Sequence, residues 1–172
     1  MNHSPQNNSL EFGLTGLDLN ASLFTDEPKP QIVGEKYIAF SQGGELYAVS
    51  SKKVIEVTAA LTVALLPNAP EWLHGIANLR GEIISVLNFP IIFGRRASKL
   101  APKSKFIVLR SQAFEFGVAF AADRLNEIVT LPDEKIQSIK DETSPFIFGK
   151  AVHQSNALNL IDMEKLLASL TI

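Results

Sequence analysis

The second half of this chain restates the first half, and this repeat constrains the fold more than any other feature of the sequence. A shift of 71 residues places residues 47–49 on residues 118–120, and past residue 131 the shift becomes 74 residues. Glycine, glutamate and asparagine or aspartate keep register with the apolar positions. The matched pairs of this kind are Glu56 with Glu127, Gly75 with Gly149, and Asn88 with Asp162. A repeat this long predicts two similar subdomains, since a solenoid needs three or more short units.

Most of the chain after residue 36 has the texture of short β-strands and tight turns. Residues 37–40 and 46–49 are β-rich runs around a Gly-Gly pair, which is typical of a β-hairpin. Residues 54–57 predict another strand, and residues 76–87 predict two strands joined by a turn. The fold class is therefore expected to be mainly β, with short helices.

Each half ends in a predicted helix that begins behind a capping residue. After Asp162 the apolar residues recur at a spacing of i, i+3, i+4 and i+7, which predicts one helical stripe. They are Met163, Leu166, Leu167 and Leu170. A capping Asp accepts free N–H groups of the first turn and is worth about 1 kcal/mol. Asn88 is expected to cap a short helix within residues 89–94, so we assign Asn88 and Asp162 structural roles.

The chain is expected to consist of a tail and one folded unit. Residues 1–34 are rich in Asn, Ser, Gly and Pro and predict a flexible N-terminal tail, either lying on the surface or ordering on a partner. Residues 35–172 are predicted to form the domain, with subdomains divided roughly into residues 35–95 and 96–172 and with strands partly exchanged. The first residues carry neither the basic cluster nor the apolar stretch of a secretory signal, so we expect a cytoplasmic protein.

Composition and motifs argue against an enzyme and against several classes of ligand. The chain has 16 Lys and Arg against 18 Asp and Glu, and only a small cluster around Arg95 and Arg96 approaches the basic stripe that nucleic acid needs. It has no cysteine, and its three histidines lack metal-ligand spacing. No catalytic serine motif or phosphate-binding loop occurs. We expect no catalytic residue, cofactor, metal or membrane insertion.

A ligand-binding β-barrel for nucleic acid or sugar is the less favoured alternative. Such a barrel needs exposed aromatic side chains along a basic groove. Aromatic residues make up 8% of the chain, and most of them lie in apolar patterns.

The stretch of residues 66–84 contains the side chains that best suit a binding site. Asn78 and Arg80 are expected on one face of a strand, and such an Arg needs a partner because an unpaired charge near a core is costly. Glu56 is the natural partner, since a period of two puts Val54 and Glu56 on one face of their strand. The alternative is a solvated surface pair without function, worth about 0–1 kcal/mol.

This stretch resembles the CheW-like family of bacterial coupling proteins. The family's motifs stand at residues 54–57 (Val-x-Glu-Val), 66–70 (Leu-Pro-Asn-Ala-Pro), 78–81 (Asn-Leu-Arg-Gly) and 93–94 (Phe-Gly), and its later pattern at residues 117–123 and 160–167. The likeness covers about residues 36–168 and leaves the tail outside. The Asn-Leu-Arg-Gly stretch is its most specific part.

The resemblance implies two intertwined SH3-like five-stranded β-barrel subdomains with short helices, a C-terminal helix and no cofactor. It implies a non-catalytic signalling adaptor that couples the cytoplasmic tip of a chemoreceptor, a methyl-accepting protein, to the regulatory domain of a CheA-type histidine kinase. Such an adaptor is cytoplasmic and recruited to membrane receptor arrays. By position, the partner-binding residues are Val54, Glu56, Asn78 and Arg80, lining a groove between the barrels.

The resemblance leaves the pathway open. A scaffold of this kind also suits pilus-driven twitching motility or phototaxis, which is the alternative to flagellar chemotaxis. The chain departs from the family's pattern at Ser85, Asn88, Ala121 and Ala122, and Arg95 and Arg96 add local charge. Because Asn88 replaces one capping residue with another, we expect these departures to affect partner choice and not the fold.

Overall fold

A computed structural model describes residues 32–59, 61–101, 103–111, 117–140 and 144–170. Within them the chain is mainly β, as the sequence predicted. Most of the predicted tail, residues 1–31, lies outside the described residues.

The described residues contain twelve strands and two short α-helices. The strands are β1 (Glu35–Gln42), β2 (Glu45–Ser50), β3 (Val54–Ala59), β4 (Val63–Ala64), β5 (Leu73–Leu79), β6 (Glu82–Leu87), β7 (Lys105–Leu109), β8 (Gly117–Ala122), β9 (Arg124–Leu131), β10 (Gln137–Ser138), β11 (Ile147–His153) and β12 (Asn156–Ile161). The helices are α1 (Phe89–Ile92) and α2 (Met163–Ser169), and single 3₁₀ turns lie at Ser51–Lys53 and Asp133–Lys135.

The strands form two six-stranded sheets with the same internal order. Sheet 1 runs β10-β11-β12-β2-β1-β9, and sheet 2 runs β4-β5-β6-β8-β7-β3. In each sheet the central pair is parallel, β12 with β2 and β6 with β8, whereas the other pairs are antiparallel. Each sheet has one strand more than the five expected, because a two-residue strand pairs at one edge. The division of the chain near residue 95 stays a prediction.

The repeat extends to the details of backbone pairing. The register of β5 with β6 shifts between Leu73 and Gly75, and that of β11 with β12 shifts between Ile147 and Gly149. These two β-bulges are 74 residues apart, which is the shift found in the sequence. Just after each hairpin, one more backbone bond recurs over 2.8 Å, from Asn88 N–H to Trp72 O and from Asp162 N–H to Phe146 O.

Gly75 is explained by the close approach of the edge strand β4. A Cβ atom at residue 75 would lie 2.1 Å from the carbonyl oxygen of Ala64. Because that oxygen belongs to the backbone of a paired strand, it has little freedom to move aside. Only glycine therefore lets β4 close against β5.

The core consists of one cluster shared by both sheets and one smaller cluster within each. Four fully buried aromatic side chains, Phe40, Tyr47, Phe89 and Phe120, lie in the shared cluster, with ring centroids 5.1 Å apart between Phe40 and Phe120. Strand β2 contributes to two clusters because neighbouring residues face opposite sides: Tyr47 and Val49 enter the shared cluster, and Ala48 enters that of sheet 1. The sheets are thus joined through aromatic packing.

The two expected helix caps differ in the structure. Asp162 precedes α2 and accepts a hydrogen bond from Lys165 N–H over 3.0 Å. Asn88 holds the same position before α1, but its side chain makes no capping hydrogen bond, so the expected bond at Asn88 is wrong. Two donors are missing for it, since Pro90 has no N–H and the Ile91 N–H bonds the Asn88 carbonyl over 3.1 Å.

Candidate functional site

Arg80 and Glu56 form an ion pair on the surface of sheet 2. Arg80 Nη2 lies 2.8 Å from Glu56 Oε2, and the side chains are 81% and 21% exposed respectively. Four strands separate the hydrogen-bonding edge of β3, which carries Glu56, from β5 in the order of sheet 2 only if the sheet is followed strand by strand, so this contact closes a curled sheet from its side chains. The sequence predicted this partnership, and the structure brings the two residues together.

Arg80 lies in the turn after β5 and not on the strand face expected for it. Strand β5 ends at Leu79, and Arg80 with Gly81 forms a two-residue hairpin turn with φ values of 54° and 93°. Positive φ at both turn positions matches the right-handed twist of the flanking strands, and a glycine adopts it readily. The tight turn therefore determines where the guanidinium group projects.

Asn78 acts on this turn. Its Oδ1 accepts a hydrogen bond from Gly81 N–H over 2.9 Å, which ties the end of β5 to the second turn residue. The side chain remains exposed, and its amide nitrogen faces no obligation to the turn. We name Glu56, Asn78 and Arg80 the first corner.

Val54 does not share the environment of Glu56. A β-bulge interrupts the pairing of β3 with β7 between Val54 and Glu56, so a period of two does not hold across it. Val54 packs against the shared core, whereas Ile55 is 53% exposed. The structure thus brings Glu56, Asn78 and Arg80 together and places Val54 beneath them, in the packing that supports β3.

A second corner with the same backbone geometry, which the sequence reasoning did not single out, lies on sheet 1. Glu127 Oε1 lies 2.9 Å from His153 Nε2 and accepts a hydrogen bond from Gln154 Nε2 over 3.0 Å. Gln154 is the repeat counterpart of Arg80, and its φ of 48° matches that of Arg80. The repeat was the available signal, since it already paired Glu56 with Glu127. We name Glu127, His153 and Gln154 the second corner.

The corners differ in charge. Arg80 carries a permanent positive charge, whereas Gln154 is neutral and His153 is charged only when protonated. Glu127 is also more exposed than Glu56, at 45% against 21%. The same scaffold therefore presents two chemically distinct surfaces.

Two further features of the described residues bear on the site. They contain no group of three His, Cys, Asp or Glu side chains placed to hold a metal ion. In the same parts of the chain, no helix has the length and apolar character needed to cross a membrane.

Comparison with known proteins gives a consistent result. The model of the CheW-like domain family matches residues 36–171. Among curated proteins, the chain is 26% identical over 146 residues to the chemotaxis protein CheW of Klebsiella aerogenes, covering 81% of this chain and 85% of that protein. It is 28% identical over 140 residues to CheW of Treponema pallidum, covering 77% and 81%.

A relative with another name and a solved structure extend the comparison. The chain is 25% identical over 138 residues to protein FrzA of Myxococcus xanthus, covering 77% of this chain and 85% of FrzA. The crystal structure of the scaffolding protein TtCheW from Thermoanaerobacter tengcongensis superposes with a TM-score of 0.69 at 24% identity, covering 80% and 90% of the two chains. This likeness supports the fold described above.

Proposed function

The chain belongs to the CheW-like family, and we propose that it links the cytoplasmic tip of a methyl-accepting chemoreceptor to the regulatory domain of a CheA-type histidine kinase. The family is one of chemotaxis scaffolds and adaptors, and the chain shares that role. An adaptor transforms no substrate and needs two binding surfaces instead. In this proposal the protein works in the cytoplasm at membrane receptor arrays.

The observation that carries the proposal is the first corner. Arg80 is held in a preformed turn and is 81% exposed, so it reaches a partner without rearrangement of the backbone. Receptor tips of this class are helical, and an apolar surface with a few fixed charges suits a docked helix. A surface ion pair adds only about 0–1 kcal/mol to folding, so its value lies in recognition more than in stability.

Charge reversal at Arg80 tests the proposal. We expect Arg80→Glu to weaken binding to a purified receptor-tip fragment on the order of tenfold, because it places two carboxylates together at the docking surface. Adding Glu56→Arg restores the opposite charges and is expected to recover part of the affinity. Titration calorimetry measures both values, and thermal unfolding checks that the variants fold.

The second corner offers a matched control. Gln154→Glu introduces the same side chain at the repeat counterpart, in the same positive-φ turn. We expect it to leave receptor affinity unchanged. If Arg80→Glu binds as well as the parent protein, or if both variants lose affinity equally, the first corner is not the receptor site.

The likeness to FrzA keeps a second pathway in view. In this alternative the same scaffold serves pilus-driven twitching motility or phototaxis. Co-purification of the protein with its receptor and kinase, identified by mass spectrometry, separates the alternatives, since the partner kinase defines the pathway.

A further inference from the structure

A polar cavity of about 490 Å³ opens beside the start of β2, and no residue of either corner lines it. Its apolar wall includes Phe93, and its polar wall includes Glu45, Arg95, Lys150 and Asn159. A cavity of this size with a few convergent polar groups is typical of a site for a small ligand or a single inserted side chain. The adaptor role described above does not use it.

The floor of the cavity is one face of sheet 1. Lys150 on β11 pairs directly with Asn159 on β12, and Asn159 pairs with Tyr47 on β2. Directly paired residues lie on the same face of a sheet, so these three side chains form a row across three strands. Asn159 is fixed in this row because its Nδ2 donates to the Leu46 carbonyl over 3.1 Å.

Glu45 and Arg95 close the row from above. Arg95 Nη2 lies 2.6 Å from Glu45 Oε2, and the Tyr47 hydroxyl donates to the same oxygen over 2.8 Å. The hydrogen bond from Arg95 and then that from Tyr47 lower the pKa of the Glu45 carboxyl group, with Lys150 contributing at longer range. Glu45 therefore stays ionised and holds the guanidinium group of Arg95 at the cavity.

The cavity carries one positive charge in excess. Arg95 and Lys150 contribute two cations and Glu45 one carboxylate, which leaves a net charge of +1. Within the described parts of the chain, Lys150 forms no ion pair, so its ammonium group has all its donors available. Arg95 uses Nη2 for Glu45, and its planar fork has other N–H groups for a second anion.

From this geometry we propose that the cavity binds a carboxylate, held between Arg95 and Lys150 above the face of β11, β12 and β2. A carboxylate matches the excess charge, and Arg95 recognises it by charge-assisted hydrogen bonds. The carboxylate belongs either to a free small acid or to an acidic side chain of a bound protein. The two sources share the same chemistry at Arg95 and Lys150.

Nuclear magnetic resonance titration of the full chain tests the site with two probes. Succinate represents a free acid, and the blocked tripeptide acetyl-Gly-Glu-Gly-amide represents an acidic side chain, each compared with sodium chloride at equal ionic strength. We expect saturable shifts of the backbone amides of residues 44–47 and 156–159. Lys150→Gln is expected to raise the apparent Kd on the order of fivefold, because one charge-assisted contact is lost.

Arg96→Gln is the matched control, because it removes the same charge from the neighbour of Arg95, which does not line the cavity. It is expected to leave the apparent Kd unchanged. Saturation by succinate alone assigns the site to a free acid, saturation by the tripeptide alone assigns it to a partner's side chain, and saturation by both establishes a general carboxylate site. Absence of saturable shifts with either probe, or an equal effect of Lys150→Gln and Arg96→Gln, overturns the proposal. Either result leaves the test of Arg80 unaffected.

Discussion

Single residues at equivalent positions of the two halves have taken on different tasks. Arg80 and Gln154 adopt the same positive φ, yet one supplies a permanent charge and the other a neutral amide. Asp162 and Asn88 both precede a helix, yet only Asp162 makes the capping hydrogen bond. At both pairs the backbone is shared and the side-chain chemistry differs, so the repeat preserves the fold while the surfaces diverge.

The capping difference leads to a prediction on stability. We expect Asp162→Ala to lower the free energy of unfolding by about 1 kcal/mol, because it frees the N–H group of Lys165 in the first turn of α2. Asn88→Ala is the control and is expected to cost less, since it removes no capping bond. Urea unfolding followed by circular dichroism measures both. An equal or larger loss at Asn88 would contradict this account of the caps.

Among the structural elements, the strand ends and bulges determine the geometry of the first corner. Periodicity predicted the strands and the Glu56–Arg80 pair, because alternation of apolar and polar residues reports which face is buried. It did not predict that β5 stops at Leu79, nor that a bulge separates Val54 from Glu56. A bulge depends on pairing with a partner strand, which local sequence does not reveal. The second corner needed the repeat to be followed as far as Gln154.

The bulge at β5 leads to a prediction at the scale of this element. Gly75→Ala is expected to cost about 2 kcal/mol or more, because its Cβ would meet the Ala64 carbonyl at 2.1 Å and force β4 from the edge of sheet 2. Gly94→Ala is the matched control, since its φ is also positive but no atom lies within 4 Å of the added Cβ. We expect about 1 kcal/mol for Gly94→Ala, from backbone strain alone. Chemical unfolding compares the two, and equal costs would show that β4 yields easily.

At the scale of the whole described domain, the sheets depend on each other. Strands β1 and β2 complete sheet 1 with β9 and β12, and β6 completes sheet 2 with β8. The shared cluster draws large side chains from both sheets. Neither sheet is made from one continuous stretch of chain, so we expect the domain to unfold in a single cooperative transition.

Separation of the two halves tests this dependence. Fragments 1–95 and 96–172 are each expected to lack stable sheet structure alone, because each loses the strand on one side of a central parallel pair. Mixing them is expected to restore the circular dichroism spectrum of the intact chain, since the same contacts can form between two polypeptides. A fragment that folds cooperatively by itself would show that the halves are independent.

The central pairing of β2 with β12 also constrains how the protein emerges during its synthesis. The first hairpin leaves the ribosome early, but its neighbour in sheet 1 ends at Ile161, almost at the last residue to be made. Until then the rings of Phe40 and Tyr47 lack much of their eventual cover. A nascent chain of this topology holds aromatic surface open for most of its translation, which favours early engagement by a chaperone.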